Sequence, residues 1–287
     1  MTVSIALLPD RAIVGVEGAE ARDFLHSLLT CDVQSLPQGQ GAYGALLTPQ
    51  GKILFDLFTL ATETGYLLDA AASTVEDLTK RLTMYRLRRK IDIASKADLG
   101  VAAIWGREDA PELGSTLVFR DPRATALGYR AIGPMVRLEA AATADADQYE
   151  AHRIALGVAD SDRDIGSGQL FPHEANLDQL KGVSFTKGCY VGQEVVSRME
   201  HRGTARSRIV PVRFEGPHAP HGTAVTAGGR SLGRILSSQD GRGLALVRLD
   251  RAEAALAAAE PLIAGDTQFV IEQPEWARFR VPGAGDA

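Results

Sequence analysis

Two strand-like runs joined by a short turn constrain the fold of this chain more than any other feature of its sequence. Gly41–Thr48 and Lys52–Leu60 are mostly apolar, and residues 49–51 (Pro-Gln-Gly) separate them. A join of this kind is typical of a β-hairpin. The runs Ala12–Val16 and Tyr66–Ala70 also favour strands. Antiparallel strands mixed with helices predict an α+β fold rather than a doubly wound parallel sheet.

Helical patterns alternate with these strands. Ala19–Leu29 spaces its apolar residues on one face. A second helix is predicted to begin at Ser73, because Glu76 three residues later completes the pattern of a capping box. A third is predicted over Asp147–Leu156. The stretch 95–147 contains several Pro-rich turns, so we expect it to be rich in loops.

The residue pattern of the sequence changes from about Arg208 onward. Short β-like runs alternate there with Gly and Pro turns, which predicts a small β-barrel domain. Ala252–Glu260 is expected to interrupt it as a short helix, and Arg202–Ser207 is expected to be a linker. The predicted domains are therefore residues 1–205, with a further division near 95–147 left open, and residues 206–287.

Composition and charge argue against several classes of function. The chain has 287 residues and a formal net charge of −5, whereas nucleic-acid-binding domains usually carry a basic surface. No apolar run approaches the roughly 18–20 residues of a membrane span. The N-terminal segment resembles neither a signal peptide nor an Arg- and Ser-rich transit peptide. We therefore expect a cytoplasmic protein, with neither nucleic acid nor membrane as a partner. The histidines show no metal-ligand spacing, so no metal site is predicted.

Residues 187–194, KGCYVGQE, carry the most informative chemistry. Val191–Met199 predicts a helix, which places Cys189 at or just before a helix N-terminus, where backbone dipoles favour negative charge. Lys187 adds a nearby cation, and both effects favour a thiolate. The two glycines of the segment permit backbone shapes that other residues resist. The residues alone also fit a buried structural cysteine in a turn.

This string resembles the signature K-G-C-[FY]-x-G-Q-E of YgfZ-type proteins and their mitochondrial relatives in iron–sulfur cluster assembly. Residues 171–178, FPHEANLD, resemble the stretch that this family places just upstream. Residues 19–33 and 44–56 resemble the opening helix and the acidic hairpin of the glycine-cleavage T-protein superfamily. The similarity touches most of the first 205 residues.

The resemblance implies a tetrahydrofolate-binding fold and a role in maintaining [4Fe–4S] enzymes. Its functional thiol corresponds to Cys189, and its acidic hairpin position to Asp56, as a folate contact or a base. The implied ligand-binding residues are Asp56 together with Lys187, Gly188, Tyr190, Gly192, Gln193, Glu194 and Arg198. T-proteins hold the pterin ring with a glutamate, and Ala155 stands at that position here, which predicts weaker folate binding.

Two functions from different classes follow from the resemblance. The leading hypothesis is a non-enzymatic accessory factor for [4Fe–4S] enzymes, with iron–sulfur assembly proteins and client enzymes as partners and tetrahydrofolate as a ligand. The alternative is a folate-dependent one-carbon transferase, and a folate store or sensor is a third reading. With only two cysteines, Cys31 and Cys189, the chain does not supply the roughly four thiolates of a conventional cluster.

A run of bases remains outside these motifs. Residues 80–90 contain six basic and no acidic residues: Lys80, Arg81, Arg86, Arg88, Arg89 and Lys90. The run fits a solvated helix face. It fits equally well a local anion site for a polyglutamylated folate tail or an acidic partner.

Overall fold

An antiparallel sheet of five strands forms the first part of the fold. The computed structural model describes residues 3–203 and 205–283. The strands of this sheet are β2 Arg11–Glu17, β3 Gly41–Leu47, β4 Ile53–Ala61, β5 Gly65–Ala71 and β6 Asp92–Ser95. Their order is β3-β4-β5-β2-β6. The predicted hairpin is present, since β3 and β4 pair antiparallel and Ala45 lies opposite Asp56.

Two helices, α1 Ala21–Leu28 and α2 Val75–Arg86, pack their apolar residues against one face of this sheet. The predicted start of α2 is wrong. The residue before its first turn is Thr74, not Ser73, and a short 3₁₀ turn over 72–74 precedes the helix. That turn directs the Ser73 hydroxyl to the Asp162 carboxylate at 2.7 Å.

The stretch 95–147, predicted as loops, instead contributes most of a second sheet. Its strands are β1 Ser4–Leu7, β7 Leu99–Trp105, β8 Leu117–Arg120 and β9 Tyr129–Pro134, in the order β1-β7-β9-β8. The Pro-containing turns flank these strands rather than interrupt them, which is why the local pattern was misleading. Helices α3 Met135–Ala141 and α4 Ala146–Ala155 follow. An Asp145–Gln148 capping box starts α4.

The predicted C-terminal barrel is confirmed. Six strands close on themselves in the order β10-β13-β12-β11-β14-β15. They are β10 Ser207–Phe214, β11 Ala224–Ala227, β12 Arg230–Gln239, β13 Arg242–Arg248, β14 Leu262–Ala264 and β15 Thr267–Ile271, with α6 Leu249–Ala257 inserted. Within the expected linker 202–207, residue 204 lies outside the described residues. The exact domain boundary stays a prediction.

One continuous apolar core connects the barrel to the two sheets. Phe58 of β4, Ile132 of β9 and Tyr149 of α4 belong to the same buried cluster as Ile209 and Leu244 of the barrel. The barrel is therefore packed against the rest of the chain rather than tethered to it. Among the described residues, no helix has both the length and the apolar character that a membrane crossing requires.

Candidate functional site

The cysteine motif forms a surface turn that leads into helix α5, Gln193–Arg202. This helix begins two residues later than predicted, and Gly192 precedes its first turn. Cys189 lies three residues before Gly192 and is exposed with a free thiol. Its neighbour Tyr190 is buried and anchors the turn. Of the two sequence interpretations, the buried structural cysteine does not fit this position.

Lys187 points its ammonium group at the end of α1. Its ammonium group donates to the carbonyl of His26, to the carbonyl of Leu29 at 2.6 Å and to the carbonyl of Cys31 at 3.0 Å. An ammonium has three donors, so these three acceptors use all of them. The ammonium therefore has no donor left for Cys189, and the effect of its charge on that thiol stays a prediction. Partial burial lowers the pKa of Lys187, and its role here is to hold the motif turn on the end of α1.

Gly192 joins the motif to the β3–β4 hairpin. Its φ is +81°, and a Cβ atom built there would lie 2.6 Å from the Thr48 carbonyl oxygen and 3.0 Å from the Gly51 Cα. Both atoms belong to backbone, which cannot move aside cheaply. No side chain larger than hydrogen fits this contact. The motif turn is thus fixed at two places, on α1 through Lys187 and on the hairpin through Gly192.

The remaining motif residues lie at the surface around this turn. Gly188 is exposed, and a Cβ atom there would meet nothing within 4 Å. Glu194 accepts a hydrogen bond from Arg198 at 2.6 Å, one turn apart on the exposed face of α5. Gln193 is half-buried at the start of the helix. Glu194 and Arg198 therefore pair with each other on the helix that follows the thiol.

Asp56 occupies a separate, narrow cavity. Its Oδ2 atom accepts hydrogen bonds from the Tyr43 hydroxyl at 3.0 Å and the Ser161 hydroxyl at 2.9 Å. Burial raises the pKa of this carboxyl, although Arg11 acts in the opposite direction. The cavity has a free volume of about 30 Å³, room for one or two water molecules. Its charged lining residues are Asp10, Arg11, Asp56, Arg123, Arg130, Glu150, Arg153, Asp160 and Arg163.

Cys189 and Asp56 do not form one site. Cys189 is not among the residues that line the Asp56 cavity. The motif contacts the β3–β4 turn at Gly51, and Asp56 lies five residues farther on, roughly 16 Å along an extended chain. The sequence prediction of two functional groups therefore corresponds to two places in the structure.

Ala155, which the resemblance matches to the pterin-holding glutamate of T-proteins, also lies outside the Asp56 cavity. It is exposed at the end of α4 and lines a groove of about 970 Å³ between that helix and the barrel. Lys181, Trp276 and Arg278 line the same groove. Arg123 lines both the groove and the cavity and thus forms the wall between them. Sequence reasoning missed this wall, because Arg123 belongs to no recognisable motif.

A second group missed by sequence reasoning lies behind α5. The ligand atoms of His173, Asp178 and Glu200 lie within 4.8 Å of one another, and His173 Nε2 is 3.0 Å from Glu200. Arg208 already pairs with both oxygens of Asp178 at 2.9 Å. This guanidinium disfavours a cation there, so the cluster acts as an ion-pair contact between α5 and the start of the barrel.

These features define a class: a T-protein-like fold that carries an exposed cysteine turn away from its interior cavity. The glycine cleavage system aminomethyltransferase T from Bartonella henselae superposes on 97% of this chain and 87% of its own, with a TM-score of 0.75 at 16% identity. Residues 206–279 match the family described as CAF17, C-terminal beta-barrel domain. The fold expected from the resemblance is confirmed.

The particular family follows from closer relatives. The iron–sulfur cluster assembly factor IBA57, mitochondrial, of Mus musculus is 34% identical over 84% of this chain and 76% of its own length. The Homo sapiens protein of that name is 32% identical over the same shares, and the homologue of Pyricularia oryzae is 32% identical over 94% and 79%. The chain belongs to the IBA57 family of iron–sulfur cluster assembly factors.

The expected cytoplasmic location is wrong. The relatives just named are mitochondrial proteins, and they point to that organelle. Transport machinery recognises a leader segment rather than the composition of a folded domain. Composition was therefore unable to report the compartment.

Proposed function

We propose that this chain takes part in maturation or repair of [4Fe–4S] enzymes through the thiol of Cys189, which ligates a transferred cluster together with a partner protein. The observation that carries this proposal is the exposed Cys189 thiol on a turn fixed at both sides. Burial raises the pKa of the other thiol, Cys31, to about 11, so that residue is a poor ligand. A cluster needs about four ligands, and one thiol leaves the others to the partner. The names of the relatives support the same role.

The folate-dependent transferase fits the geometry less well. T-protein chemistry would need a pterin ring beside Asp56, and the cavity of about 30 Å³ does not accommodate a bicyclic ring. The thiol of Cys189 lies elsewhere and would have no task in such a reaction. No step of the proposal is therefore routed through folate.

Tetrahydrofolate enters the proposal as an accessory ligand of the groove between α4 and the barrel. Two features support this placement. The groove contains Ala155, the position that the resemblance assigns to pterin binding, and its volume lies in the range of small-molecule sites. Lys181 and Arg278 on its rim suit a ligand with a carboxylate tail.

The central experiment is complementation. Cells lacking the protein should lose aconitase and lipoate-synthase activity, and the wild-type chain should restore both. Cys189→Ser should restore neither, because serine does not replace a thiolate as a cluster ligand. Val136→Ser, which alters a 70% exposed side chain on α3, is the matched control and should restore both. Full restoration by Cys189→Ser would refute the role of the thiol.

The folate placement predicts a gain of binding. Ala155→Glu should return the missing carboxylate to an exposed helix position and strengthen tetrahydrofolate binding about tenfold or more, as expected for a charged hydrogen bond. Asp56→Asn should leave the affinity unchanged. Calorimetric titration measures both. If Asp56→Asn weakens binding while Ala155→Glu has no effect, the ligand occupies the interior, and the transferase reading gains.

A further inference from the structure

The C-terminal end of α2 carries a surface of apolar and basic side chains, and its large apolar side chains are exposed rather than packed in the core. We call it the α2 surface and define it by Arg81, Met84, Leu87, Arg88 and Lys90. Met84 is 57% exposed and Leu87 is 84% exposed, the largest exposed fraction among the large apolar side chains that the structure describes. A spacing of three residues places Arg81 and Met84 on one side of α2, and Arg88 follows two residues after the helix ends.

The backbone at Leu87 shows that this exposure is costly. The Arg89 N–H donates to the Arg86 carbonyl at 3.0 Å, which closes a turn with Leu87 at its second position. Leu87 has φ 51° and ψ −114°, near the values of a type II′ turn, where glycine is strongly preferred. A leucine there strains the backbone and buries almost none of its side chain. The Leu87 side chain therefore does not stabilise the fold, and we look for its role in contacts with another molecule.

The charge around Leu87 indicates what chemistry the surface fits. Arg88 and Lys90 are exposed beside it, although the whole chain is acidic. About three turns back on the helix, Glu76 and Asp77 are exposed and pair with Lys80 at 3.5 and 3.7 Å. The basic surface is thus small and bounded by acids. A broad anionic membrane would face those acids as well, whereas a protein surface with a matching acidic patch would avoid them.

The position of the surface connects it to the cysteine turn. The Arg89 guanidinium lies over the Phe24 ring of α1 at 5.5 Å, and Lys187 holds the C-terminal end of the same helix. Helix α1 has eight residues and is therefore about 12 Å long. A protein docked at Leu87 would therefore sit beside α1, the helix whose C-terminal end holds the motif turn.

We infer that the α2 surface docks an acidic protein, whose apolar face covers Leu87 and Met84. This docking brings cluster ligands toward Cys189. The second part rests on the function proposed above. The first part does not, because it follows from exposure, strain and charge at α2 alone.

The test uses a substitution that removes the side chain and relieves the strain. Leu87→Gly should leave the unfolding midpoint unchanged or higher. It should also weaken binding of a synthetic helical peptide, with leucine on one face and glutamate beside it, about tenfold or more. Fluorescence anisotropy measures the binding. The controls are Val136→Gly on α3 and the same peptide with lysine in place of glutamate, which should not bind.

Complementation separates failure of the docking from failure of the proposed function. With docking correct, Leu87→Gly should restore iron–sulfur enzyme activity less well than wild type, and Cys189→Ser should bind the peptide normally. If Leu87→Gly binds and complements like wild type, the docking inference is overturned whatever Cys189→Ser does. It is equally overturned if the chain ignores the peptide but binds vesicles of phosphatidylcholine and phosphatidylserine. If Cys189→Ser complements while Leu87→Gly does not, the docking stands and the role of the thiol fails.

Discussion

Replacing Arg153 with methionine is expected to lower the free energy of unfolding by about 3–5 kcal/mol, the usual result of breaking a buried ion pair from one side. Arg153 is only 2% exposed. It donates to Asp164 at 2.7 Å and to the Ser237 hydroxyl at 2.8 Å, and it also pairs with Glu150. Methionine fills a similar volume, but it leaves the fully buried Asp164 carboxylate without its cation.

The loss should affect the barrel and the N-terminal part together. Ser237 belongs to β12, whereas Arg153 belongs to α4, so this network crosses the junction between them. Chemical denaturation followed by fluorescence and by circular dichroism measures the change. Arg213→Met is the control, because that pair with Glu272 at 3.2 Å is largely exposed and should contribute less than about 1 kcal/mol. Equal losses from both variants would contradict the assignment.

Gly192→Ala is expected to destabilise the chain by at least about 2 kcal/mol and to displace the cysteine turn. A side chain at positive φ alone costs on the order of 1–3 kcal/mol. The new Cβ atom would also meet the Thr48 carbonyl oxygen at 2.6 Å. Hydrogen bonds from Thr48 N–H to the Lys52 carbonyl and from Gly51 N–H to the Thr48 carbonyl hold the hairpin turn. The motif turn must therefore move instead, and iron–sulfur enzyme activity should fall in complementation.

The motif offers its own matched control for this substitution. Gly188 has no positive φ, and a Cβ atom there would meet nothing within 4 Å. Gly188→Ala should therefore leave the unfolding midpoint unchanged. Thermal unfolding of the two variants compares them directly. A Gly192→Ala protein as stable as wild type would show that the hairpin contact does not hold the turn.

The parts of the fold that sequence predicted are those whose signals are local. The β3–β4 hairpin follows from two apolar runs around a three-residue turn, and α1 follows from its own periodicity. The start of α2 was misplaced because the local capping pattern at Ser73 competes with a contact to Asp162, 89 residues away. Strands β7 and β9 were missed because short buried strands between proline turns resemble loops.

In the candidate site, too, the sequence predicted the local features but not the tertiary contacts. Cys189 and its glycines are recognisable within eight residues of sequence. The direction of Lys187 was not predictable, because its acceptors at His26, Leu29 and Cys31 lie more than 150 residues away. The wall formed by Arg123 depends on the approach of distant elements. Pattern reasoning identifies the chemical group, and tertiary contacts decide what it touches.

Because one cysteine is buried and the other is exposed, this chain offers one reactive thiol per molecule. Cys31 is enclosed, and its thiol pKa of about 11 keeps it protonated at physiological pH. Electrophiles and oxidants that react with thiols thus meet a single exposed thiol per molecule, at Cys189. Oxidative cross-linking between copies stops at the dimer, since a molecule joined through Cys189 has no second reactive sulfur with which to extend a polymer.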